Sequence, residues 1–274
     1  MKVLLGITTF NRENQVIDLC RSINVADNIS KCKIIFFDDN SEELDFKKIE
    51  ENLIYKFDVK RNKKNLGADL NTYQMYSFFL NSEFDLLVNL DSDMIVNKNF
   101  YAIIIANIIH CEGILSLYNS NQHHSIQTVT YNNTDFEIKK DIGAAGTVFS
   151  KDVIREIIDN VKPSKSFDWD WSKYLVSSGR ELYVTKNTYI QHLGFDGQNC
   201  KSLKKLDFGL NYEPDTVESK IIYLKNLENF VLDLPSKMKE IEIFYKSSYS
   251  YRIGKFLISP IVFFCYLLNK AKKH

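Results

Sequence analysis

The sequence has no CxxC pair, no GxGxxG loop, no Ser/His/Asp triad and no surplus of either charge, and each absence closes off a class of protein. Its five cysteines (Cys20, Cys32, Cys111, Cys200, Cys265) are odd in number and scattered. Neither a zinc site nor a disulfide framework is indicated, and a reducing cytoplasm fits best. Lys plus Arg equals Asp plus Glu, at 35 each. With no net field, nothing recruits nucleic acid. The longest apolar run, Phe256 to Leu268, falls short of the ~20 residues that span a bilayer. The apolar start of MKVLLGITTFNRE is too short for a signal-peptide core and reads as a first strand. No internal repeat and no low-complexity linker occurs.

What is present is an alternation. KVLLGITTF, KIIFFDDNS, IYKFDVKRN and FDLLVNLD are apolar runs of strand length. Between them, NRENQVIDLCRSI and GADLNTYQMYSFFLN carry helical spacing. Continuous apolar strands alternating with helices predict an α/β fold, a Rossmann-like and mostly parallel sheet flanked by helices. Polar clusters follow the strands at Thr8–Arg12, Asp38–Ser41 and Asp91–Asp93. Ligands of open α/β sheets bind outside the carboxyl ends of the strands, so the three clusters are expected to share one crevice. Later, LYVTKNTYIQHLG is strand-like, Lys151–Val161 reads as a helix, and Val217, Ile221, Leu224, Leu227 and Val231 recur at helical spacing.

The chemistry-bearing pieces each have two readings. Asp91-Ser92-Asp93, directly after a buried run, is either a solvated turn or a pair of oxygen donors for Mn²⁺ or Mg²⁺. Asp38 and Asp39 are either a helix cap or acceptors for a nucleobase N–H. Asn65 and Gly67, in KKNLGADLN, are either an ordinary turn or a loop that a ligand approaches closely.

Taken together, GITTFNR, FFDDNS, NLGADLN and NLDSD resemble, in order and spacing, the nucleotide-sugar-binding half of family 2 glycosyltransferases with the A-type fold. The resemblance covers roughly residues 1–200. It departs at Thr8 and Phe10, where the family has Pro and Tyr. It implies that Thr9 and Phe10 sit against the base within the motif that continues through Asn11 and Arg12. Asp39 would bond to the base and Asp38 lie near the ribose. Asn65 and Gly67 would form the donor loop, and Asp91 and Asp93 would bind the metal. DIGAAGTVFS, with Gly146, resembles the small-residue segment beside the donor sugar on the acceptor side. SFDWDW resembles the acidic catalytic motif, with Phe167 in place of the usual Glu, so the general base is Asp168 or Asp170. Trp169 and Trp171 would pack on sugar faces or fill the core. His192 matches a late histidine that contacts metal or diphosphate in the family, or else is structural.

The expected organisation is a transferase domain over 1–210, with donor half 1–97 and acceptor half 98–210, and a helical extension over 211–274. From Lys237 to His274 there are eight Lys or Arg and two Asp or Glu around the apolar run. Residues 250–274 are therefore expected to lie on an anionic membrane surface. The expected activity is inverting transfer of a sugar, from a uridine diphosphate donor, to a lipid-linked or surface glycan at the inner face of the cell membrane. The rival readings are a sugar nucleotidyltransferase and a silent carbohydrate-binding scaffold. Oligomeric state is not readable.

Overall fold

In the computed structural model, which describes residues 1–193 and 207–247, the first strand, β1 (Val3–Thr9), is buried along its whole length. Its side chains divide by the two-residue period of a strand. Val3, Leu5 and Ile7 pack into one apolar layer, while Leu4 enters the other. Helix α1 (Glu13–Asn24) buries Val16, Leu19, Cys20 and Ile23, a stripe at helical spacing, in the first layer. Next come β2 (Cys32–Asp38), α2 (Phe46–Asn52), β3 (Phe57–Arg61), α3 (Ala68–Leu80), β4 (Leu86–Asp91), β5 (Met94–Val96) and α4 (Phe100–Asn107). Helices α2 and α4 join α1 through Ile49, Phe100 and Ile104. Helix α3 covers the opposite face with Met75, Tyr76 and Phe79.

The second half contains β6 (Ile114–Ser116), β7 (Ser125–Tyr131), β8 (Thr134–Lys139), β9 (Thr147–Ser150), α5 (Lys151–Asn160), α6 (Phe167–Ser177), β10 (Leu182–Thr185), β11 (Ile190–His192) and α7 (Val217–Ser247). One nine-stranded sheet runs through both halves in the order β3-β2-β1-β4-β9-β6-β10-β8-β7. The first four of these strands are mutually parallel. Strand β9 enters antiparallel between β4 and β6, and β7 and β8 close the far edge as a hairpin. Helices α5 and α6 lie with α3, burying Val153, Ile154, Ile157, Phe167, Trp171 and Leu175. The LYVTKNTYIQHLG segment is two strands, not one. Strand β10 joins the large sheet, whereas β11 leaves it to pair antiparallel with β5.

The chain divides into two compact units, Met1–Lys225 and Asn226–His274. Helix α7 starts in the first, where Thr216 Oγ1 accepts from Ser219 N at 3.0 Å and Ile222 packs with Ile95 and Leu193. In the second unit the helix exposes Val231, Leu232 and Met238. The expected membrane segment 250–274 lies outside the described residues. Among those described, no helix is long and apolar enough to cross a membrane.

Candidate active site

Parallel pairing fixes where the strand ends fall. The register matches Thr9 with Asp38 and Thr8 with Asp91, so the three polar clusters emerge at one end of the sheet. Beyond β1 the backbone turns sharply through Asn11 (φ 55°) and Arg12 (φ 58°), consecutive left-handed residues that are not glycine. Such residues are uncommon and hold local strain, so the surroundings must impose the turn. They do: Asn11 N donates to Ser41 Oγ at 2.7 Å, and Asn11 Oδ1 accepts from Glu42 N and Glu43 N at 3.0 and 3.1 Å. The turn carries the Arg12 guanidinium onto the Asp93 carboxylate.

Asp93 is buried and has a second cationic neighbour. The pairing of His192 with Met94 across β11 and β5 brings His192 Nε2 to 3.3 Å from Asp93 Oδ1. Burial works against charge on both groups, but mutual attraction overcomes it. Asp93, with His192 and Arg12 beside it, is held well below the usual carboxylate range, and His192 is lifted to about 9. Asp91 behaves differently. Its Oδ1 accepts from Thr8 Oγ1 at 2.7 Å, and burial, reinforced by the nearby Asp93 charge, raises its proton affinity. Two carboxylates and an imidazole form a donor set that suits Mn²⁺ or Mg²⁺, the oxygens favouring both ions and the nitrogen the former. The chemistry fits. Among the described residues, however, no three such side chains stand ready as ligands, since Asp93 is engaged by Arg12 and His192, and Asp91 by Thr8.

The second cluster is braced from within the protein. Asp38 and Asp39 are both buried, and each carboxylate has internal partners. Asp38 accepts from Ser41 N at 3.2 Å and pairs with Arg61 Nε at 3.2 Å. Asp39 Oδ1 accepts from Asn62 Nδ2 at 2.9 Å and Leu66 N at 2.8 Å, and its Oδ2 from Gly67 N at 2.8 Å. Asp39 is thus the anchor of the loop before α3. Asn65, in the same loop, is exposed. Gly67 has φ 89°, and a Cβ at this position would meet nothing within 4 Å, so the backbone angle, not crowding, requires glycine there. Thr9 is buried, its hydroxyl 3.5 Å from Asn11 O, while Phe10 is half-buried at the rim of the same turn.

SFDWDW forms the first turn of α6, and helical geometry separates its members. Asp170 turns to the Ser164 and Ser166 hydroxyls at 2.6 and 3.0 Å. Asp168 turns inward, where its Oδ2 accepts from Ala144 N at 3.3 Å and its buried Oδ1 has no hydrogen-bond partner. Burial, then the charges of Asp69 and Asp91, push Asp168 up to about 7. Trp169 is 49% exposed beside the His123 ring, with centroids 5.7 Å apart, and His123 is paired with Asp141. Trp171 takes the core position that was the alternative to a sugar contact. It is wholly buried, edge-on to Phe149, and offers no face to a sugar. Gly146 is likewise a packing position: φ is 70°, and a side chain there would meet Tyr118 Cβ at 2.7 Å. Gly143, by contrast, borders open space.

Asp69, in the first turn of α3, is a functional candidate that the sequence does not single out. Its Oδ1 accepts from Asp168 N at 3.1 Å. An Asp one turn into a helix usually serves its own helix, so no local pattern announces a partner a hundred residues away.

This fold has counterparts among solved structures. Crystal structures of S. aureus TarS 1-349 match 85% of this chain and 66% of their own. In complex with UDP-GlcNAc the identity is 13% and the TM-score 0.52; in complex with UDP they are 14% and 0.50. The chain has the A-type glycosyltransferase fold. A looser likeness, with TM-score 0.47 and 10% identity, is to the mannosyltransferase PcManGT from Pyrobaculum calidifontis in complex with GDP-Man and Mn²⁺, covering 67% of this chain and 56% of that one. This chain spans less than two thirds of the TarS 1-349 chains it matches. No family model and no curated protein matches it.

Proposed function

We propose that the protein is an inverting, metal-assisted glycosyltransferase of the family 2 type. It would move a sugar from a nucleotide diphosphate donor, a UDP-sugar first among candidates, to a hydroxyl of a glycan or lipid-linked acceptor. The observation that carries this reading is a division of labour between carboxyl groups at one end of the sheet. Asp93 is held ionised by Arg12 and His192, while Asp168, electrostatically coupled to Asp91, is held near neutrality. Acid groups whose environments drive their proton affinities apart mark acid–base assignments in enzymes.

Asp91 and Asp93 would hold the metal, joined by His192 once the ion displaces its proton, and a bound divalent ion would neutralise charge on the departing diphosphate. Arg12 adds a fixed positive charge beside the same phosphates. Asp168 acts as the general base. Its carboxylate takes the proton of the acceptor hydroxyl as that oxygen bonds to the anomeric carbon, and the bond to the diphosphate breaks, its electron pair leaving with the phosphate oxygen. Attack from the face opposite the leaving group inverts the anomeric configuration. Trp169 offers an exposed aromatic face next to the base, suited to the apolar side of a sugar. The proposed division at residue 210 keeps these groups in one transferase domain. The tail would bring them to a membrane-bound acceptor.

The test pairs binding with turnover. A thermal-shift screen of nucleotide diphosphate sugars with Mn²⁺ selects the donor. Asp93→Ala should then lose metal-dependent donor binding, whereas Asp168→Asn should retain it and lose transfer. Equal loss of donor binding in both variants contradicts the assignment.

A further inference from the structure

The Asp69 carboxylate belongs to neither the donor loop nor the base, yet it touches the structures that carry both. Gly67, the residue before α3, has its amide tied to Asp39, and so does Leu66. Two residues into α3, Asp69 Oδ1 accepts from the backbone N–H of Asp168 at 3.1 Å. An anion at the first turn of α6 meets unpaired amide groups and the positive end of that helix dipole, a favourable pairing. The Ser166 side chain, at the N-cap of α6, forms no capping hydrogen bond of its own. Edge-on contacts of Tyr73 and Tyr76 with Phe167, at 5.2 and 5.8 Å between centroids, close the same junction.

Resting on the transferase reading above, we infer that Asp69 is a positioning residue for the base. Its carboxylate clamps the start of α6 to the start of α3, so that the Asn65–Gly67 loop and Asp168 are held as one body. The clamp has an electrostatic side. Asp69 is itself a like charge facing Asp168, along with Asp91 from the end of β4. The Tyr76 hydroxyl from α3, the Ala144 amide and the Trp171 indole complete its surroundings. Asp69 therefore fixes both where the base stands and how readily it takes a proton.

Two variants separate these effects. Asp69→Asn keeps an acceptor for the Asp168 amide and removes the charge, whereas Asp69→Ala removes both. The carboxyl carbon of Asp168, labelled with ¹³C and assigned by its loss in Asp168→Asn, reports its titration directly. The midpoint should fall from about 7 in the native protein toward the ordinary carboxylate range in Asp69→Asn, and the alkaline rise of the pH–rate profile should move with it. In Asp69→Ala, turnover of the nucleotide sugar selected by thermal shift should drop about 10- to 100-fold, while binding of UDP with Mn²⁺ holds steady. A purely structural cap would lower the rate without moving the titration. An unchanged Asp168 midpoint in Asp69→Asn overturns the inference, and that variant keeps the question open to decision should the alanine form fail to fold. If the native protein turns over no nucleotide sugar, the transferase reading falls, and the titration alone still decides whether Asp69 governs Asp168.

Discussion

Replacing Asp168 with Asn should make the folded protein more stable at neutral pH, in the same variant that removes the proposed base. The unfolded chain releases the Asp168 proton near the ordinary value of 3.8, the native protein only at about 7. Between these limits the native state binds more protons than the unfolded state, so stability falls as pH rises through the interval and levels off above it. At about 1.36 kcal/mol per pH unit the full interval is worth about 4 kcal/mol. Asp168 keeps some solvent contact, which reduces the expectation to about 2 kcal/mol. Asn has nearly the same shape and can still accept from the Ala144 amide, but it does not titrate. Urea denaturation of both proteins at pH 5 and pH 8 reads the difference. The advantage of the variant should be small at the lower pH and about 2 kcal/mol at the higher. An equal difference at both values would refute the claim that burial and neighbouring carboxylates hold this group up.

His192 should give a pH slope of the same sign over a higher interval. Its folded value of about 9 lies above its ordinary 6.5, so the stability it adds is complete below pH 6.5 and is lost as pH rises through 9; His192→Gln should flatten this slope in denaturation curves. Trp171→Ala should cost about 3–5 kcal/mol by opening the core, whereas the exposed Trp169→Ala should leave the melting temperature nearly unchanged and weaken only acceptor use in transfer assays. Gly67→Ala should cost about 1–3 kcal/mol through its backbone angles alone (φ 89°, ψ 159°), measurable by chemical denaturation, since nothing crowds the position.

The parallel half of the fold was legible because β1, β2 and β4 are apolar on both faces, a pattern that only a covered strand tolerates. The place of Asp91 and Asp93 followed from the same fact. Their engagements did not follow. Asp93 meets His192 only because β11 pairs with β5 instead of joining the large sheet, and nothing in LYVTKNTYIQHLG marks that break; it meets Arg12 through the left-handed turn after β1. Asp38 and Asp39 allowed two readings in the sequence, and neither named the partners they have: a serine three residues on, an arginine beside it in β3, and amides of a loop more than 25 residues away. The two tryptophans show why secondary structure decides side-chain fate. In a strand, residues 169 and 171 would share one face. On a helix they stand about 200° apart, so one enters the core and the other meets solvent. The same rotation separates Asp168 from Asp170.

Arg12 and His192 also govern what an incoming anion meets first. A diphosphate approaching the ends of β1 and β4 comes upon Asp91, Asp93, Asp69 and Asp168 within one neighbourhood, and four bare carboxylates would turn it away. Two resident cations offset that repulsion before any ligand arrives. Encounter with a sugar nucleotide should therefore slow only modestly in dilute salt, and charge reversal at residue 12 should make the association rate climb steeply with ionic strength.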